Sequence, residues 1–237
     1  MANTKRFLLV LALALILPAA PARADFITNS CNLPPLGGQY VSPAMAHQLY
    51  MMGGLTVEVI NIRHFGFNDS FQPPPNVGGM TMESFGSTLE GDVIMNGGTA
   101  AHFAVPALVT VKLTKVSGTD GMAIGSTYAT QMTQLDATLM PGVMISIDPT
   151  MASTGQTTIN DGLPQGFYRI TSFFDVFTDL SLNGGAPIPA MGSGHVELQP
   201  VAEPVTLTLA VVGVVGFAVG AWRSRRSRNR CLTSRCS

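Results

Sequence analysis

The side chains that most often carry out chemistry are dispersed along this sequence. The four histidines have neither the His-x-His nor the His-x₃-His spacing of a zinc site, and none lies near a cysteine or a pair of carboxylates in the sequence: His47, His64, His102 and His195. The stretch from Gly192 to His195 differs from the Gly-x-Ser-x-Gly turn of serine hydrolases, and its glycines favour a hairpin turn. Because no glycine-rich phosphate or dinucleotide loop is present, we predict no catalytic residue, no metal site, no cofactor and no enzymatic activity.

Three weaker chemical signals have ordinary structural interpretations. Methionine thioethers can bind Cu(I), but methionine also fills irregular gaps in a core, and we favour that interpretation for the 13 methionines. Asp-Gly and Asn-Gly loops could hold Ca²⁺, but no Asp-x-Asp-x-Asp-Gly loop is present, so the acidic residues are interpreted as solvated surface charge. Cys31 is the only cysteine between positions 25 and 204, which favours an inert or capped thiol, with intermolecular pairing as the alternative.

Length and composition favour a folded body with unusual ends. The chain has 237 residues, of which 46% are hydrophobic and 11% charged, against roughly 25% charged in an average soluble domain. The net charge of −1 excludes a strongly basic nucleic-acid binder but hides an uneven distribution. Positions 25–204 contain only four basic residues and all 14 acidic ones, a net charge of −10, and the other basic residues lie near the two ends. An acidic body between basic ends is typical of an exported chain.

The N-terminus has the features of a secretory signal peptide. Lys5 and Arg6 precede an apolar run from Phe7 to Leu17, which is too short to span a bilayer. Ala22 and Ala24 fit the small-residue positions before a cleavage site. We therefore predict a signal helix within residues 1–24, passage through a Sec-type translocon, and cleavage by signal peptidase so that the mature chain begins at Asp25.

The C-terminus has the features of a transmembrane helix that stops in the cytoplasm. The eighteen residues from Val205 to Trp222 carry no charge, and a helix of this length spans about 27 Å, close to the roughly 30 Å of hydrocarbon. Trp222 lies at the predicted membrane boundary. Arginines follow directly and hold that end in the cytoplasm by the positive-inside rule: Arg223, Arg225, Arg226, Arg228 and Arg230. The acidic body is then on the opposite side of the inner membrane.

A short motif before this span completes a resemblance to a known family. Ala202-Glu203-Pro204, the apolar span and the terminal arginines together resemble the PEP-CTERM sorting signal of Gram-negative bacteria, with Ala202 in place of the first proline. Two segments, 148–159 and 172–185, are also similar to an uncharacterised group of exported proteins with this signal. The resemblance implies export, tethering to the inner membrane, cleavage by an exosortase-like membrane protease, and release toward the cell surface or extracellular matrix.

Between these ends, the pattern predicts an all-β body. Apolar and polar residues alternate with period two around Val57, Val111 and Ile145, and Gly- or Asn-Gly-rich turns separate the runs. The segment from Phe173 to Leu182 fits either a helix or a strand, and its aromatic and β-branched residues favour the strand. We therefore predict an antiparallel β-sandwich over residues 25–200, between the signal peptide (1–24) and the sorting segment (201–237).

These features predict a non-enzymatic, exported protein of the cell surface or extracellular matrix. One alternative is a tethered module that binds polysaccharide or another matrix component, although the single tryptophan and 7% aromatic content offer little stacking surface for sugars. Another is a secreted hydrolase whose catalytic residues converge only in the folded chain.

Overall fold

The computed structural model describes residues 25–43, 46–162 and 164–201. Within these ranges the chain forms thirteen β-strands and no helix, which confirms the predicted all-β class. The strands are β1 (Phe26–Thr28), β2 (Gly38–Val41), β3 (His47–Met52), β4 (Leu55–Phe65), β5 (Met80–Met95), β6 (Ala101–Ser117), β7 (Ser126–Met140), β8 (Val143–Ile147), β9 (Ser153–Asp161), β10 (Tyr168–Val176), β11 (Thr178–Leu182), β12 (Ile188–Pro189) and β13 (Gly194–Pro200).

The strands form one continuous antiparallel sheet that closes on itself, whereas the sequence led us to expect two packed sheets. The closed path runs β10–β13–β2–β4–β5–β6–β7–β9 and returns to β10, which makes an eight-stranded antiparallel barrel. Closure requires strands that bend, and the register shifts in β4 and β6 are bulges of the kind that bend a strand. An eight-stranded closed sheet has an interior just wide enough to be filled by side chains.

The long strand β7 is where two parts of the sheet meet. Its first half, from Ser126 to Met132, pairs with β9, and its second half, from Asp136 to Met140, pairs with β8. Strand β8 continues the sheet through β11 to β12, and a bridge between Ala190 and Tyr50 links this part to β3. Strands β4 and β7 therefore have different neighbours at their two ends: β4 pairs with β3 and then β2, and β7 with β9 and then β8.

The alternation predicted from the sequence is present in the strands. Val57 and Val59 of β4 are buried on either side of the half-exposed Glu58, and Val111 and Leu113 of β6 are buried on either side of the half-exposed Lys112. The segment that fitted a helix or a strand forms β10 and β11, as the aromatic and β-branched composition favoured. At the hairpin between β5 and β6, Asn96 and Gly97 both adopt positive φ values (49° and 65°), as the tight Asn-Gly turn requires.

The interior of the closed sheet is a continuous apolar core. Tyr40, Phe67, Phe85 and Phe174 meet edge to face, with ring centroids 5.4–6.0 Å apart. Since the sheet has both its own closure and its own core, we expect residues 25–201 to fold independently.

One end of the core is closed by a buried ammonium group. Lys115 of β6 is fully buried, and its Nζ donates hydrogen bonds to the carbonyl oxygens of Pro75 (3.1 Å), Thr119 (2.6 Å) and Met122 (2.7 Å). Pro75 lies in the loop before β5, and the other two acceptors lie in the loop between β6 and β7. Lys115 therefore fastens two loops across the end of the sheet.

The predicted targeting segments fall almost entirely outside the described residues. Asp25, the predicted first mature residue, is described, whereas the signal peptide (1–24), the Ala202-Glu203-Pro204 motif, the span from Val205 to Trp222 and the arginine cluster are not. Among the described residues, no helix has the length and apolar character needed to cross a membrane.

Candidate functional site

The outer face of β9, β10 and β13 carries the strongest candidate site. Side chains alternate along each strand, so Phe173 and Asp175 of β10 point outward together with His195 and Glu197 of β13. The antiparallel register places Asp175 opposite His195 and Phe173 opposite Glu197. Four side chains that are separated by about twenty positions in the sequence therefore form one compact group.

His195 is held between the two carboxylates of this group. Its Nδ1 lies 2.7 Å from Asp175 Oδ1, and its Nε2 lies 3.4 Å from Glu197 Oε1. The Phe173 ring lies beside the imidazole, with centroids 5.6 Å apart and planes inclined by 31°. Because both nitrogens face carboxylates, the orientation of the imidazole ring is fixed.

The surroundings of His195 raise its pKa. Partial burial acts to lower the pKa, but hydrogen bonds to Asp175 and Glu197, together with their negative charges, outweigh this effect. A protonated ring donates from both nitrogens to the two carboxylates, which is the form that the raised pKa favours.

A groove opens beside this group because β13 separates from β10. The two strands pair from Phe173 to Val176, and β10 then pairs with β1 at Ile170, so Thr171 and Ser172 fall in the gap. The groove has a volume of about 440 Å³. Its walls combine polar, charged and apolar side chains: Asp25, Gln156, Thr158, Ile170, Thr171, Ser172, Phe173, His195, Glu197, Leu198 and Gln199.

The interior offers far less room than this groove. Two cavities within the core have volumes of about 30 and 40 Å³, and His64, Met132 and Val196 line both of them. Each volume corresponds to roughly one water molecule, whose share of liquid water is about 30 Å³. The outer groove is therefore the better candidate for a ligand site.

The four histidines are in different surroundings, and the structure brings only His195 into the groove. His64 lies in the core, where its Nε2 is 2.5 Å from Ser87 Oγ, and burial lowers its pKa to about 4. His102 is exposed and lies 3.1 Å from Asp92, and His47 is exposed at the start of β3. Within the described ranges, no three His, Cys, Asp or Glu side chains are grouped as metal ligands.

Asp148 accepts hydrogen bonds from residues that closely follow it. Asp148 Oδ1 accepts hydrogen bonds from the backbone nitrogens of Thr150 (2.6 Å) and Met151 (3.2 Å) and from the Thr150 hydroxyl (2.7 Å). These bonds lower the pKa of Asp148, with the Thr150 hydroxyl as the largest contribution. Asp148 therefore stabilises the turn after β8. Burial, with a smaller effect from Asp148, raises the pKa of neighbouring Asp179.

Cys31 and Asp25 are the remaining sequence candidates in the described part of the chain. Cys31 is a free, half-buried thiol whose Sγ lies 3.5 Å from Gln72 Oε1. Asp25, the predicted first residue of the mature chain, lines the groove and lies 3.4 Å from Arg169 Nε. Strand β1 begins directly after it.

Two sequence patterns correspond to the group of side chains beside the groove. Phe173-x-Asp175 and His195-x-Glu197 both have the spacing that places side chains on one face of a strand. What the spacing does not reveal is that β10 and β13 are neighbours.

Comparisons with known proteins identify no relative. A scan against protein-family models found no match, and searches of the curated proteins and of the solved structures found no significant match. The function is therefore inferred from the sequence and the geometry alone.

Proposed function

We propose that this chain is a non-enzymatic, exported protein of the cell surface or extracellular matrix, sorted through a PEP-CTERM-like signal. The observation that carries the proposal is the order of segments at the C-terminus: Glu203-Pro204, then the uncharged span from Val205 to Trp222, then the arginine cluster. This order stands opposite an N-terminal segment with the features of a signal peptide. No nucleic-acid partner is proposed.

The proposed route requires two processing steps. A signal helix within residues 1–24 directs the chain to a Sec-type translocon, and signal peptidase cleaves after Ala24. A transmembrane helix over residues 205–222 then holds the chain in the inner membrane, where an exosortase-like protease cleaves near Glu203-Pro204. β1 begins at Phe26, which supports a body that starts directly after the first cleavage site.

The charges of the described body agree with the absence of a nucleic-acid partner from the proposal. Among its four basic side chains, Arg63 pairs with Glu90, Arg169 pairs with Asp25, and Lys115 is buried. These contacts leave the body little basic surface for binding a polyanion.

The contacts of His195 support a non-enzymatic role. A hydrolase with a serine or cysteine nucleophile needs a histidine nitrogen that faces the nucleophile, whereas both nitrogens of His195 face carboxylates. The same groove favours a second candidate function, a tethered module that binds polysaccharide or another matrix component, because it combines room for a ligand with convergent polar groups.

Removal of the sorting segment tests the main proposal. The full chain and a variant ending at Val201 should be expressed in the native host and fractionated into cytoplasm, inner membrane, envelope and medium. We expect the full chain to pass through the inner-membrane fraction and the truncated chain to bypass it. A Glu203→Ala/Pro204→Ala variant, which keeps the span and the arginines, should accumulate in the inner membrane. Identical fractionation of all three chains would remove the basis of the proposal.

A further inference from the structure

We propose that the groove between β10 and β13 binds uncharged sugar residues of an extracellular polysaccharide, with Phe173 as the stacking surface and Glu197, Gln156 and Gln199 as hydrogen-bonding groups. The proposal deepens the second candidate function and rests on it. It does not depend on how the chain is exported.

The size and position of the groove fit a short stretch of polysaccharide. Its volume of about 440 Å³ lies within the roughly 300–1,000 Å³ that is typical of small-ligand sites. It opens on the outer face of a closed sheet, where a long polymer can lie across the surface and extend beyond the groove in both directions. The interior cavities, at about 30 and 40 Å³, have no room for a sugar ring.

The side chains of the groove match the two kinds of surface that a sugar presents. A sugar ring has apolar C–H faces, and Phe173 offers a half-exposed aromatic ring at the centre of the group. The ring edge carries hydroxyls, which both donate and accept hydrogen bonds. The amides of Gln156 and Gln199 also do both, and Glu197 accepts.

The contacts of His195 order the groove before a ligand arrives. Asp175 holds the imidazole at 2.7 Å, and the imidazole lies beside the Phe173 ring and faces Glu197. Groups that are already ordered lower the entropic cost of binding. In the register, Phe173 lies between Glu197 of β13 and Gln156 of β9.

The charges of the groove favour an uncharged polymer over an acidic one. Asp25, Asp175 and Glu197 lie in or beside the groove, against Arg169 and His195, and residues 25–204 carry a net charge of −10. A polymer of uronic acids would be repelled by the body as a whole.

The register disfavours an added peptide strand as the ligand. Only Thr171 and Ser172 of β10 lie between the residues paired with β1 and those paired with β13. Strands in proteins usually have three to ten residues, so a gap of this length is too short for strand addition.

Affinity electrophoresis of the full-length chain in mild detergent tests this proposal. Native gels containing dextran or hydroxyethyl cellulose serve as uncharged probes, and gels containing alginate serve as the acidic probe. We expect at least one uncharged polymer to retard the chain and alginate not to do so. Absence of retardation by every uncharged polymer, or stronger retardation by alginate, would overturn the proposal.

Three variants assign binding to the groove. Phe173→Ala and the near-isosteric Glu197→Gln should each weaken binding about tenfold or more, since a few central side chains carry most of the energy of a binding site. Phe65→Ala is the matched control, because Phe65 is also half exposed but lies on β4 beside Arg63. Glu197→Gln changes no volume, so a folded variant is expected, and circular dichroism checks all three.

The outcomes separate this proposal from the sorting proposal. Unchanged binding by both Phe173→Ala and Glu197→Gln would place the polysaccharide elsewhere and overturn the groove assignment. If these two variants lose retardation but fractionate normally, the groove is the binding site, and this result does not depend on the sorting proposal. If the sorting variants fractionate like the full chain while polysaccharide binding is intact, only the sorting proposal is overturned.

Discussion

The buried histidine of the core makes the stability of the body depend on pH in a calculable way. His64 is 7% exposed, and its Nε2 lies 2.5 Å from Ser87 Oγ. The edge of the Phe67 ring packs against the imidazole at a centroid distance of 5.2 Å. Burial lowers the pKa of His64 to about 4, so the side chain is neutral in the folded protein above that pH.

The sign and size of the effect follow from proton linkage. In the unfolded chain a histidine binds a proton below about pH 6.5, whereas His64 in the folded chain binds one only below about pH 4. Acidification between these values therefore favours unfolding. Each pH unit between the two pKa values corresponds to about 1.4 kcal/mol, so the loss reaches about 3 kcal/mol at pH 4.

Urea unfolding of residues 25–201 at pH 7.5 and at pH 4 measures this contribution. His64→Gln removes the titrating group but keeps an amide that can bond to Ser87. Because the carboxylates are the same in both chains, their acid effects cancel in the comparison. We expect the variant to lose about 3 kcal/mol less than the wild type on acidification. His102→Gln keeps His64 and should retain the full loss; equal losses for wild type and His64→Gln would refute the reasoning.

Two further predictions concern the closure of the sheet. Lys115→Met removes three hydrogen bonds from an ammonium group to buried carbonyl oxygens and should lower the free energy of unfolding by about 3 kcal/mol or more. Lys112→Met, on the half-exposed face of the same strand, should have little effect. Urea unfolding distinguishes the two variants, and equal effects would contradict the role of the ammonium. Gly155→Ala would bring a methyl group into collision with the carbonyl oxygen of Phe173 and should destabilise the body by about 2 kcal/mol. Gly192→Ala, whose methyl group would meet open space, is the control, and thermal unfolding compares the two variants. Unchanged stability of the Gly155→Ala variant would show that β9 and β10 are not packed as described.

The strand content was predictable from the sequence because alternation is a local property. Val109, Val111 and Leu113 identify one buried face of β6 whatever that face packs against. The same alternation is expected in a two-sheet sandwich and in a single closed sheet. The choice between them depends on strand pairing, in particular on the division of β7 between β8 and β9, and alternation does not encode which strands pair.

The groove was harder to predict because its side chains come together only through the pairing of β10 with β13. Asp175 and His195 are twenty positions apart, and only the pairing of β10 with β13 brings them to 2.7 Å. Seen along the sequence, His195 follows a glycine-rich turn and has no obvious partner. The burial of Lys115 could not be predicted from the alternation of apolar and polar residues either. Its acceptors are backbone carbonyl oxygens of two loops, and every sequence has such carbonyls.

Intact-mass measurement of the protein recovered from cells and from the medium tests the central claim most directly, because one spectrum reports both predicted cleavage sites. The account predicts a membrane form that begins at Asp25 and ends at Ser237, and a released form that begins at Asp25 and has lost the span and the arginine cluster. Recovery of the protein from the cytosol with both Met1 and Ser237 in place would contradict it.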